Sequence, residues 1–265
     1  MSNYIKSNKA AWEEAFEKAE GYGAENVAKL ETEEFPFLLP EFISVIKAAD
    51  MKGKKVAQFF CNNGRELLSI VKNTGAENGV GFDIAENLVL QANKHAAATG
   101  IPCTFVSADA LKIGRAWANK FDFAVITVGA LCWIEDLGAL FRVIRRCLKP
   151  DGVLLIHEYH PFTNMLGIET EPEFDPDHPT ARVWPYFRDV PFVDAMGMHY
   201  MVGEHYPSKT FTSFAHTLSE LMNALIANRL KITMFQEFAN DVSDNFGHLD
   251  GLGMPLSFIL AAKAE

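Results

Sequence analysis

Apolar positions in the first 50 residues recur at helical intervals. In "NKAAWEEAFEKAE", Ala11, Ala15 and Ala19 share a face beside Trp12 and Phe16, and "LPEFISVIKAA" repeats the pattern around Pro40. This is a helical lead-in. From Lys54 the texture changes to short β-rich runs, "KVAQFF", "NGVGFD", "CTFVSA", "FDFAVITV" and "GVLLIHE". They are separated by helix-like segments, the last of which ends on Lys149-Pro150-Asp151-Gly152. Strands bounded by turn residues and alternating with helices predict right-handed βαβ units and an open, doubly wound α/β fold with a mostly parallel sheet. The alternation stops after Glu158. Residues 159–212 are rich in Pro, His and aromatics and too apolar for a disordered linker, which suggests a substrate-facing insertion. "FAHTLSELMNALIANRL", "KITMFQEFA" and "PLSFILAAK" then return to helix and strand. The expected organisation is one domain over 1–265: a lead-in (1–50), a core (51–158), an insertion (159–212) and a closing helix with strands (213–265).

Composition narrows the function classes. The chain has 265 residues, 49% of them hydrophobic, and a net charge of −10. Counterion release needs a basic surface, so nucleic acid and anionic membranes are poor partners. The start of the chain has no apolar signal core, and no run reaches the ~18 apolar residues of a membrane span; a cytoplasmic protein is the expectation. Cys61, Cys103, Cys132 and Cys147 are far apart in apolar surroundings, which argues for reduced core thiols rather than a disulfide framework or zinc site.

Ligands of an open parallel sheet bind outside the C-terminal ends of its strands. The first strand ends in "FFCNNG", with a single glycine where nucleotide loops carry several. Gly64 would let the backbone approach a ligand, and Asn62 and Asn63 tolerate left-handed conformations better than other non-glycine residues; an ordinary turn is the alternative. Asp83 ends the second strand nineteen residues after Gly64, where a carboxylate can accept from a ribose diol or cap the next helix. Asp109, in "SADAL", can accept from an adenine amine or serve as a turn residue. Taken together, the order and spacing favour the nucleoside reading.

At these residues the chain resembles the class I S-adenosylmethionine-dependent methyltransferases, over roughly residues 50–160 and the terminal helix and strands. The family's first motif typically reads hydrophobic-Leu-Asp-Leu-Gly-Cys-Gly-x-Gly. In "VAQFFCNNG" Cys61 and Gly64 match, whereas Gln58, Phe60 and Asn62 replace the acidic residue and two glycines. "FDFAVITVGALCWIEDLGALFRVIRRCLKPDGVLLIHE" is similar to the family's fourth-strand, helix and fifth-strand block throughout. The resemblance implies a Rossmann-like, seven-stranded sheet and S-adenosylmethionine as cofactor. It implies a cofactor site at Phe60, Cys61, Asn62, Asn63, Gly64, Asp83, Ile84, Ala108, Asp109, Ala110 and Thr127, with Asp83 at the ribose and Asp109 near adenine. The cofactor carries no phosphate, so a three-glycine cradle is unnecessary.

"TVGALCW" lacks the Asn/Asp-Pro-Pro-Tyr pattern of relatives that methylate amide or nucleobase nitrogens, which with the acidic charge points to a small-molecule acceptor. Six of the eight histidines fall between 157 and 216. His160, directly after the fifth strand, is the candidate base or acceptor-orienting group, with a structural role as its alternative. "HEYH" is too short for a helical zinc motif, so no metal is expected. Residues 161–216 hold eight acidic and three basic residues among several aromatics, a mix suited to an amine or neutral aromatic acceptor. A nicotinamide-dependent oxidoreductase would share the ribose carboxylate but requires Gly-x-Gly-x-x-Gly. A protein that keeps the fold and has lost catalysis is the other rival, and a homodimer is left open.

Overall fold

Near-continuous burial along short apolar runs marks strands covered on both faces, and four such runs with a less buried edge strand form the parallel part of the sheet. The computed structural model describes residues 3–265. Three helices lead in: α1 (Asn3–Lys18), α2 (Asn26–Thr32) and α3 (Pro40–Ala48). The alternating core follows as β1 (Lys55–Phe59), α4 (Arg65–Thr74), β2 (Asn78–Asp83), α5 (Glu86–Thr99), β3 (Cys103–Ser107), β4 (Phe121–Ile126), α6 (Leu137–Cys147) and β5 (Leu148–Tyr159). The insertion contributes a two-stranded ribbon of β6 (Phe192–Asp194) and β7 (Phe211–Ser213) around the single-turn α7 (His199–Val202). The chain closes with α8 (Leu218–Ala227), β8 (Leu230–Phe238) and β9 (Ser257–Ala264).

The large sheet has seven strands in the order β3-β2-β1-β4-β5-β9-β8, with β9 antiparallel to both neighbours and the first five strands parallel. The expected doubly wound, seven-stranded sheet is therefore present. Chain order reverses between β1 and β4, so the crevice for a ligand opens above those two strands. One face packs α6 and α8 through Leu140, Phe141, Ile144, Leu221 and Leu225. The other packs α3, α4 and α5 through Phe42, Ile46, Leu67, Leu68 and Ala92. Burying each such Leu, Ile or Phe contributes roughly 1.5–3 kcal/mol, and the two layers fix the strand ends that carry the site.

A third apolar cluster lies outside the sheet layers. Ala11 and Ala15 of α1 pack with Leu88 of α5, Met201 of α7 and Phe211 of β7, with Trp12 and Trp133 against them. The lead-in and the insertion thus form one cap. The alanine spacing of α1 is its seam, since small side chains allow close approach of the neighbouring elements.

Candidate functional site

Above β1 and β4 the strand ends open into a cavity of about 970 Å³. Phe60, Asn62, Asp83, Ile84, Ala108, Asp109, Ala110 and Thr127 line its sheet side. The cap lines the opposite side from both of its parts: Trp12, Tyr22 and Phe37–Leu39 from the lead-in, and Trp184, Phe192, Asp194 and Tyr200 from the insertion.

The loop after β1 has an alternating left-handed backbone, with φ of 61° at Phe60, 48° at Asn62 and 78° at Gly64. Phe60 and Asn62 stand where the motif has glycine, and they adopt glycine's conformation. For a bulky residue this is unusual, and such positions cost on the order of 1–3 kcal/mol each. Asn62 offsets part of that cost locally, because its Oδ1 accepts from the Asn63 N–H at 2.7 Å and faces the Tyr22 hydroxyl at 3.3 Å. Its backbone N–H donates to Asp83 Oδ2 at 2.8 Å. The two asparagines therefore do different things. Asn62 shapes the loop at the cavity, whereas Asn63 is fully buried beneath it.

Gly64 corrects the expectation that it lets the backbone approach a ligand. It lies outside the cavity lining, and a Cβ there would overlap the Phe105 ring and come within 2.9 Å of Ala92 Cβ. Packing against β3 and α5, together with positive φ, requires the glycine. Cys61 is likewise buried below the loop with its Sγ toward Gly81. Of the eleven residues expected at the cofactor, Cys61, Asn63 and Gly64 thus support the loop from beneath and the other eight face the cavity.

Asp83 accepts from Asn62 N and from Ala85 N (3.0 Å), so it ties the loop to the start of α5. The carboxylate shapes this turn without capping α5, whose N-cap is Ala85 with no side-chain bond, and it faces the cavity. Burial pushes its pKa up to about 6, against N–H bonds that pull it down. Asp109 Oδ1 accepts from Leu111 N at 3.0 Å, while Oδ2 is buried without a hydrogen-bond partner, with Lys112 Nζ at 3.6 Å. A buried carboxylate oxygen with a free lone pair calls for a donor. Gln58, at the motif's acidic position, is fully buried, donates to Thr127 Oγ1 at 3.0 Å and keeps Oε1 unpaired. Gln58 lies beneath the cavity lining, whereas the unpaired Asp109 oxygen and the Asp83 carboxylate reach it and fit an adenosine-bearing ligand such as S-adenosylmethionine.

His160 stands apart. It caps the short helical turn after β5, with Nδ1 accepting from Phe162 N at 3.0 Å and Nε2 lying 3.0 Å from Glu237 Oε1. It is buried beside Phe258, outside the cavity lining, and burial lowers its pKa against the pull of Glu237. The structure does not bring it to Asp83 and Asp109. The polar residues that β5 does turn toward the cavity are His157 and Tyr159, which alternation places on one face. His157 stacks on Phe42 at 5.0 Å, and burial pushes its pKa down to about 4, so it is neutral near pH 7. Tyr159 faces Cys132, and burial raises both groups, Cys132 to about 12. Strand alternation in "LIHEYH" could have marked His157 and Tyr159 as a pair. Residues 242–246, also at the cavity, carried no signal beyond a polar loop composition. Among the described residues, no group of three His, Cys, Asp or Glu is placed to hold a metal ion.

A strand order reversing between β1 and β4, an antiparallel seventh strand and carboxylates at the ends of β2 and β3 define the Rossmann-like class I S-adenosylmethionine-dependent methyltransferase fold. Residues 56–152 match the family model described as a methyltransferase domain. A ribosomal protein L11 methyltransferase of Actinobacillus succinogenes is 30% identical over 105 residues, 40% of this chain and 33% of the relative, so the chain spans about a third of that protein's length. An S-adenosylmethionine-dependent methyltransferase from Mesorhizobium loti superposes with a TM-score of 0.59 at 22% identity, over 83% of this chain and 96% of its own. A geranyl diphosphate C-methyltransferase from Streptomyces coelicolor A3(2), in complex with Mg2+, geranyl diphosphate and S-adenosyl-L-homocysteine, superposes with a TM-score of 0.62 at 12% identity, over 100% and 99%. At these identities the structural likeness is one of fold, and it extends through the cap.

Proposed function

We propose that the protein is an S-adenosylmethionine-dependent methyltransferase acting on a small-molecule acceptor. The observation that carries this reading is the shared cavity: the Asp83 and Asp109 carboxylates and the aromatic cap enclose one space. At about 970 Å³ it lies at the upper end of the roughly 300–1,000 Å³ typical of small-ligand pockets, which suits a cofactor together with a small acceptor. S-adenosylmethionine supplies an electrophilic methyl group on a sulfonium. Asp83 accepts from the ribose hydroxyls and Asp109 Oδ2 from the adenine amine, with Phe60, Ile84, Ala108 and Ala110 as apolar walls and Thr127 near the strand end. The cap excludes water and holds the acceptor in line, which is the main catalytic task when the electrophile is already activated.

The cap side favours an uncharged or cationic acceptor. Glu169, Glu171, Glu173 and Asp194 face the cavity, and the Arg188 guanidinium is stacked over Phe192 at 4.0 Å. Burial first, and then the neighbouring carboxylates Glu173 and Asp194, raise the Glu171 pKa against the pull of His205. A diphosphate such as the Streptomyces enzyme's ligand is disfavoured by these charges, and a folded protein acceptor by the enclosure.

Calorimetric titration with S-adenosylhomocysteine tests the cofactor half, and binding separates this reading from a fold that has lost its ligand. A chain with residues 159–212 replaced by a short Gly/Ser linker should keep that affinity within about tenfold, because the cofactor contacts lie on the sheet side. It should lose methyl transfer to the acceptor.

A further inference from the structure

The Glu158 carboxylate lies on the face of β5 opposite His157 and Tyr159, and four backbone N–H groups converge on it. Gly129 donates to Oε1, Ala130 and Leu131 to Oε2 at 2.9 and 3.1 Å, and Tyr159 to Oε1 at 3.0 Å. Glu158 is 3% exposed, and a buried carboxylate without a cation is costly unless hydrogen bonds replace its water. The chain fills the same face with Ile156 and Leu154 one and two pleats earlier, so an apolar residue would serve if only packing were needed. Three of the four donors are consecutive residues of the turn leaving β4. Those N–H groups lie at the start of a short 3-10 helix, Leu131–Trp133, which brings Cys132 and Trp133 to the cavity. Trp133 in turn meets Trp12 of α1 at 5.3 Å and Phe211 of β7 at 5.7 Å.

We infer that Glu158 is a positioning residue of the transfer site: its carboxylate sets the 127–133 turn, whose residues 127–130 wall the cofactor side of the cavity, and Trp133 at the end of that turn reports its position. The geometry stands on the contacts above, and its consequence for cofactor binding rests on the methyltransferase reading. Only the ionised carboxylate can take all four donors, since a protonated acid points an O–H at one of them. Burial pushes Glu158 up to about 7, against those N–H bonds, so the turn should loosen as pH falls through neutrality. Cys132 and Tyr159, which feel its charge, are held neutral by burial. His216, whose Nε2 lies 2.7 Å from the Ile134 carbonyl, is pushed down by burial, and His160 faces Glu237 beyond the strand end.

The test combines S-adenosylhomocysteine calorimetry with 19F NMR of 5-fluorotryptophan-labelled protein, in which the Trp133 resonance is assigned by Trp133→Phe. Glu158→Gln places an amide N–H2 against backbone donors. It should shift the Trp133 resonance and weaken S-adenosylhomocysteine at least tenfold at pH 8, while Ile156→Val, two residues away on the same face, does neither. In the wild type, the Trp133 resonance and the affinity should change together, with a midpoint near pH 7. This titration needs no variant and decides the matter if Glu158→Gln does not fold. An unmoved Trp133 resonance across pH and in the variant, or Glu158→Gln affinity within twofold of Ile156→Val, overturns the inference. If the wild type binds no S-adenosylhomocysteine, the methyltransferase reading fails, and the Trp133 resonance alone still decides whether Glu158 positions the turn.

Discussion

The two sides of the cavity are built by different physics. On the sheet side, Asp83 and Asp109 hold turns through backbone N–H bonds, and the loop over 60–64 keeps three left-handed residues between a buried strand and a helix. On the cap side, Trp12, Trp133 and Phe211 meet edge to face across three distant segments, and the ribbon of β6 and β7 is only three pairs long. The first side is local, rigid and set by a few polar atoms. The second is assembled from aromatic packing between segments about 80 to 200 residues apart, and its acidic lining is partly open to water. Cofactor affinity should therefore follow single residues of the sheet side, while acceptor choice is spread over the cap.

The most severe way to break the comparison is Gly64→Val, which drives a branched side chain into Phe105 and Ala92 at a φ of 78°. Overpacking and backbone strain together should cost ~3 kcal/mol or more, read by urea denaturation without ligand. A loss of affinity with unchanged stability would return Gly64 to the ligand side.

His157 probes the part of the cavity next to α3. Its folded pKa of about 4 lies below the ordinary 6.5. The neutral imidazole's contribution is therefore fully present above pH 6.5 and is lost as pH falls through 4, a change of about 3 kcal/mol at 1.36 kcal/mol per pKa unit. Replacing it in His157→Gln should flatten stability between pH 6.5 and 4 in denaturation series. An unchanged slope would mean that the imidazole is not held neutral by burial.

Asp83→Ala should weaken S-adenosylhomocysteine by ~1.5–3 kcal/mol, the range for a hydrogen bond to a charged group. It should also lower unliganded stability, because Asn62 N and Ala85 N lose their acceptor. Calorimetry and thermal melts read the two effects separately, and intact affinity would remove the carboxylate from the ligand. The smallest effect belongs to Asn62→Gly, where relief of a positive φ and loss of the Oδ1 bond nearly cancel, leaving stability within about 1 kcal/mol and affinity within about tenfold. A larger loss of affinity would show that the Asn62 side chain itself meets the ligand.

Much of the sheet side was legible from the chain. Period-two and period-3.6 patterns placed the strands and helices, and Asp83 and Asp109 fell at strand ends because a doubly wound sheet leaves its strand ends in a fixed crevice. Gly64 was found for the wrong reason, since a requirement for glycine looks the same in sequence whether a ligand or Phe105 occupies the space. His160 was chosen for following β5 directly. One step of strand alternation and a turn onto β9 instead gave the cavity to His157 and Tyr159.

What the sequence determined by itself was whatever is encoded within about twenty neighbouring residues: alternation, turn chemistry, and the loop that spends Asn62 where a glycine is usual. Only the tertiary structure decided which distant surfaces share the cavity. The lead-in and the insertion became one cap because Ala11 and Ala15 allow α1 to lie close to α5, α7 and β7, and Glu158 gained its four donors because the β4 turn folds back over β5. Contacts of that kind depend on side-chain packing and desolvation between chain-distant groups, and no spacing along the sequence records them.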